Sequence, residues 1–115
     1  MERSVLLEKA DKLAHLTYGI TKDFPREEIY RLTSQLRRAV LSVPLNIVEG
    51  FARQGDKSYK QFLIISYGSL QEVKYLLKFI LEEKIISEKE YIKVFSLADE
   101  VGKMLWSAIS KLKNK

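Results

Sequence analysis

Apolar residues recur at steps of three and four along four stretches of this chain, and almost nothing interrupts them. Only five glycines and two prolines occur in 115 residues, and no two-residue hairpin turn stands between alternating runs. Such spacing selects amphipathic helices over strands. The first segment runs from about Ser4 to Thr21, with Leu6, Ala10, Leu13, Thr17 and Ile20 as its apolar seam. It stops at Asp23-Phe24-Pro25, because the residue before a proline avoids helical geometry. Asp23 or the Phe-Pro turn then starts the second segment, Arg26 to Arg53, whose first turn carries Glu27 and Glu28, as the helix dipole favours.

The seam of the second segment is Ile29, Leu32, Leu36, Ala39, Val43 and Ile47. Pro44 falls inside it, which removes one backbone donor and predicts a bend in a single helix, with the Val40 carbonyl losing its partner. Gln54-Gly55-Asp56 ends this segment. The third, Lys57 to Glu83, has Phe62, Ser66, Ser69, Val73, Leu76 and Ile80 as its seam. Ser66, Gly68 and Ser69 are small enough to admit a neighbouring helix. Ser87 followed by Glu90 reads as a capping box that opens the fourth segment. That segment runs to about Lys113 along Tyr91, Val94, Ala98, Val101, Leu105, Ala108 and Leu112, with Lys111, Lys113 and Lys115 at a favourable C-terminus. The expected fold is all-α, an up-down-up-down antiparallel four-helix bundle forming one domain over residues 1–115.

The second segment is apolar on too many sides for that fold alone. From Ala39 to Ala52, ten of fourteen residues are apolar or proline. At about 100° per residue, Leu41, Leu45 and Val48 point away from the core stripe. Either they form an oligomer interface, or the bend at Pro44 turns them into the chain's own core. What is polar on this helix forms one line: Arg31, Gln35, Arg38, Ser42, Asn46, Glu49 and Arg53. It reads as a solvated face, as a ligand-facing stripe, or as a structural polar network of Gln35, Arg38, Asn46 and Glu49, since buried polar groups between apolar flanks must be partnered.

The formal charge is +5, and +4 of it falls between residues 31 and 60. The nucleic-acid-binding candidates are Arg31, Arg37, Arg38, Arg53, Lys57 and Lys60, joined by Lys74 and Lys78. Lys60, Tyr67, Gln71, Lys74 and Lys78 form an outward line on the third segment. A basic line with a tyrosine attracts phosphates and can stack a base; a plain solvated helix has the same composition.

Catalytic and metal chemistry find little footing. There is no cysteine and one histidine, which excludes thiol nucleophiles and cysteine-based metal sites. His15 follows Asp11 by four residues and Glu8 by seven, a weak ligand set and more simply a polar helix face. No Glu-x-x-His pair of a di-iron bundle is present, and no phosphate-loop, dinucleotide or nucleophile-elbow string occurs. The expectation is a protein that is not an enzyme, with no cofactor and no metal. The N-terminus has no signal-peptide core and no stretch reaches the ~18 apolar residues of a membrane span, so a cytoplasmic protein with no membrane partner is expected.

The string FPREEIYRLTSQLRRAVLSVPLNIVEG, Phe24 to Gly50, resembles the signature of bacterial four-helix-bundle proteins named for members encoded within intervening sequences of 23S ribosomal RNA genes. The likeness continues through Ser58, Phe62, Gly68-Ser69-Leu70 and Glu72 to Val101-Gly102-Lys103-Met104-Leu105. Gln35, Arg37, Arg38, Asn46, Glu49 and Gly50 match its motif. The resemblance implies a homopentamer. It also implies kinship with the accessory variability determinant of diversity-generating retroelements, which binds nucleic acid and a reverse transcriptase. RNA or DNA, and alternatively a partner protein such as a reverse transcriptase or operon product, are the partners expected from it. Tyr67 departs from a common arginine and Gln61 from a common glutamate. Leu45 and Val48 replace smaller residues, which enlarges the apolar face.

Overall fold

In a computed structural model describing residues 2–112, without the side chains of residues 2–4 and 27–29, the chain forms four helices. They are α1 (Glu2–Thr21), α2 (Arg26–Ala52), α3 (Asp56–Glu82) and α4 (Glu88–Lys111). No strand occurs among the described residues. Each boundary falls within two residues of the spacing-based expectation. The first-turn carboxylates Glu27 and Glu28, the seam residue Ile29 and the terminal Lys113 and Lys115 lie outside the described residues.

Each helix packs beside two others: α1 beside α2 and α4, and α3 beside α2 and α4. The particle measures 45 × 22 × 19 Å. Its core takes Leu6, Ala10, Leu13 and Ala14 from α1, and Leu36, Val40, Val43 and Ile47 from α2. From α3 come Leu63, Leu70, Val73, Leu77 and Ile80, and from α4 Val94, Ala98, Val101 and Leu105. The α3 seam differs from expectation. Leu63, Leu70 and Leu77 are fully buried, whereas Phe62 and Ser69 are only half-buried. A helix wedged between two neighbours buries a stripe wider than one line of residues.

The turns are set by local chemistry. Between α1 and α2 the N-cap is Pro25, with no side-chain cap bond, so Asp23 does not cap the helix. Proline already holds a suitable φ there, and the buried Phe24 anchors the turn from below. Gly55 opens α3 at φ +92°, a conformation that glycine adopts without strain. After α3 the chain closes a Schellman motif: Ile85 N–H donates to the Ile80 carbonyl and Lys84 N–H to that of Leu81, both at 2.9 Å. Lys84 holds the left-handed position at φ +61°. The capping box forms as expected, the Ser87 hydroxyl accepting from Glu90 N–H at 3.1 Å and the Glu90 carboxylate accepting from Ser87 N–H at 3.3 Å.

α2 runs unbroken through Pro44, and Val40, Val43 and Ile47 are fully buried on either side of it. No helix among the described residues is long and apolar enough to cross a membrane.

Candidate functional site

The eight expected cations divide into held and unheld groups. Arg37 is half-buried: its Nε–H donates to Thr21 Oγ1 at 2.8 Å, and its guanidinium carbon lies 4.5 Å from the Tyr18 ring centroid. Arg53 pairs with Glu49 at 2.9 Å and lies over Phe62 at 5.0 Å. Lys74 reaches α4, with Nζ 3.0 Å from Asp99 Oδ1 and 5.2 Å from the Phe95 centroid. A hydrogen bond and charge from Lys74, with Lys103 adding at 3.5 Å, hold the Asp99 carboxyl below its ordinary range. Arg31, Arg38, Lys57, Lys60 and Lys78 make no hydrogen bond or ion pair with a described residue. All are exposed except Lys60, which is half-buried.

The outward basic line on α3 is therefore broken. Tyr67 is half-buried and packs on Trp106, ring centroids 5.6 Å apart, and Lys74 is neutralised by Asp99. Both turn toward α4, because that helix supplies an aromatic face and a carboxylate at their level. Lys60, Gln71 and Lys78 remain. Asp99 and Trp106 lie more than twenty residues away in the chain, so no local spacing signals these captures.

The polar line on α2 is mostly a seam with α3. Gln35 Nε2 donates to Glu72 Oε2 at 3.3 Å, and the Ser42 and Ser69 hydroxyls are 2.7 Å apart. Asn46 Nδ2 donates back to the Ser42 carbonyl at 2.8 Å and to its hydroxyl at 2.9 Å. Gln35, Arg38, Asn46 and Glu49 do not bond to one another: each finds a nearer partner or, for Arg38, none among the described residues. Ser66 and Ser69, expected as small residues of the α3 seam, also act as hydrogen-bonding partners, Ser66 Oγ donating to the Val43 carbonyl at 2.8 Å. Close approach comes from Gly50 instead of Gly68. A Cβ on Gly50 would stand 2.9 Å from Tyr59 Cδ1, whereas one on Gly68 would meet nothing within 4 Å.

Leu41, Leu45 and Val48 all face outward, Leu45 with 61% of its surface exposed. A turn of these side chains into the chain's own core does not occur. Ile64 and Ile65 of α3 are exposed as well. Since Ser42 faces Ser69 and Val43 faces Ser66, these isoleucines stand at the level of Leu45. Apolar side chains are thus exposed at one level on both helices. His15 is exposed and 3.5 Å from Asp11. No group of three metal-ligating side chains converges among the described residues.

The geometry has counterparts among known proteins. A family model described as 23S rRNA-intervening sequence protein matches residues 2–107. No curated protein matches the chain. A solved structure is similar in fold: a protein with unknown function from the S23 ribosomal protein family of Bacteroides thetaiotaomicron VPI-5482. The two are 21% identical and superpose with a TM-score of 0.86 over 96% of this chain and 99% of that one.

Proposed function

Because the chain belongs to the 23S rRNA-intervening sequence protein family, we propose that it is a non-enzymatic, oligomeric binding module of the cytoplasm. In this reading an up-down-up-down antiparallel bundle assembles as a homopentamer and presents a repeated basic surface to RNA or DNA. Antiparallel order is supported by contacts that descend one helix as they climb the next: 35 with 72, 43 with 66, then 74 with 99 and 67 with 106. The observation that carries the binding reading is the set of cations that make no ion pair with a described residue, Arg31, Arg38, Lys57, Lys60 and Lys78. Phosphates release counterions when such groups approach, and five copies on one particle would act together by avidity.

Binding of short RNA and DNA at two salt concentrations tests this. Affinity should fall with salt, and Lys60→Ala and Lys78→Ala should each lower the log–log slope by about 1. No binding at low salt, or a flat slope, refutes it.

The outward surface around Leu45, Ile64 and Ile65 favours a second reading, a scaffold that docks a partner protein such as a reverse transcriptase or operon product. This is the role that kinship with the accessory variability determinant implies. A chain that sediments as a monomer and co-purifies with nothing refutes it.

A further inference from the structure

A cleft of about 750 Å³ opens between the end of α1 and the first half of α2. Four cations line it, Lys22, Arg26, Arg37 and Arg38, and none of the described lining residues is a carboxylate. Four like charges around one concavity repel one another, and low-dielectric walls strengthen the field they share. An anion seated among them relieves that repulsion.

Arg37 is already placed for such an anion. Thr21 holds its Nε and the Tyr18 ring lies along its guanidinium, which leaves both terminal amino groups without a hydrogen bond to a described residue. Those two groups form the fork that matches two oxygens of a phosphate. Because Thr21 and Tyr18 fix the fork beforehand, little side-chain entropy is lost on binding. The hydroxyls of Thr33 and Ser34 also line the cleft and make no side-chain hydrogen bond with a described residue. Tyr30 stands on its rim with 71% of its surface exposed, a flat face free to stack on a ring. The volume lies within the range of small-ligand sites, ~300–1,000 Å³.

We infer that this cleft binds a nucleotide by its phosphate, with Arg37 as the fork, Lys22 and Arg26 as flanking charges and Tyr30 as the stacking face. The nucleotide can be a free mononucleotide or one residue of a single strand. The site is on a different face from Lys60 and Lys78 and does not require polymer binding to be correct.

The test titrates the full chain with uridine 5′-monophosphate, uridine, inorganic phosphate and a short oligouridylate at low salt, read by calorimetry and by amide chemical shifts. Uridine 5′-monophosphate should bind at least about tenfold more tightly than uridine or phosphate alone, with shifts centred on Thr21 to Arg38. The Lys22→Ala/Arg26→Ala double variant should weaken it about tenfold. Both side chains are exposed and make no hydrogen bond or ion pair with a described residue, so the fold should be untouched. Arg37→Lys, which keeps the charge and loses the fork, should weaken it similarly. Equal affinity for uridine or phosphate, or no change in the double variant, overturns the inference. Oligouridylate that binds through Lys60 and Lys78 yet ignores Lys22, Arg26 and Arg37 overturns it while leaving the polymer reading standing. Mononucleotide bound in the cleft with no oligouridylate bound anywhere does the reverse.

Discussion

Ser66 donates its hydroxyl to the Val43 carbonyl at 2.8 Å, with both residues fully buried and with Pro44 next in the chain. This bond pins α3 to α2 beside the one residue of α2 that cannot donate to the helix ladder. Ser66→Ala should cost about 1 kcal/mol, the usual net value of a neutral hydrogen bond. Urea denaturation should show it as a lower midpoint with an unchanged slope.

Glycine-to-alanine changes should have opposite signs at two positions. At Gly50 the new methyl would press on the Tyr59 ring and stand 3.2 Å from Phe62 Cβ, so the helices must part. The expected loss is about 1–3 kcal/mol despite the better helix propensity. At Gly68 nothing is nearby, and alanine should stabilise by about 0.5–1 kcal/mol. Thermal melts of the two variants check the contrast.

Lys84 occupies a left-handed conformation at φ +61° in the turn after α3. Lys84→Gly removes the clash of Cβ with the backbone there and should stabilise by about 0.5–1 kcal/mol, net of the extra freedom of the unfolded chain. Asn should give part of the gain.

Asp99 should contribute to the acid limit of stability. Its folded carboxyl titrates below the ordinary 3.8, chiefly through the hydrogen bond and charge of Lys74. A depressed carboxylate adds stability that is whole above the unfolded value and is lost as pH falls through the folded one. Asp99→Asn should therefore be less stable than the parent near neutrality, with the gap closing below about pH 4. Denaturation series at several pH values should show the two curves converging.

Leu45→Glu combined with Val48→Glu should leave the helix content unchanged and disperse the proposed oligomer, because both side chains are already outside the core. Sedimentation velocity at several concentrations checks this. A particle of unchanged size would place the interface elsewhere.

Most of the fold could be read from spacing and caps, because each helix is its own local problem. Ser87 with Glu90, and Gly55 before Asp56, mark their ends without help from the rest of the chain. The α3 seam was less readable, since Phe62, Leu63, Ile64 and Ile65 are consecutive and a run of four points to every side. The candidate surface was least readable. Arg37 and Lys74 look like free cations until Thr21 and Asp99 come from other helices to meet them. Charge counted along a chain says nothing of which charges are spent on the fold.

The Tyr67–Trp106 pair gives the protein a built-in optical reporter. Trp106 is the single tryptophan, it is 59% exposed, and a tyrosine donor lies 5.6 Å away across the α3–α4 seam. Energy transfer from that tyrosine, and quenching by dissolved iodide, should respond when the seam opens or a ligand covers it. A mononucleotide entering the α1–α2 cleft, by contrast, should leave the emission dark to its presence.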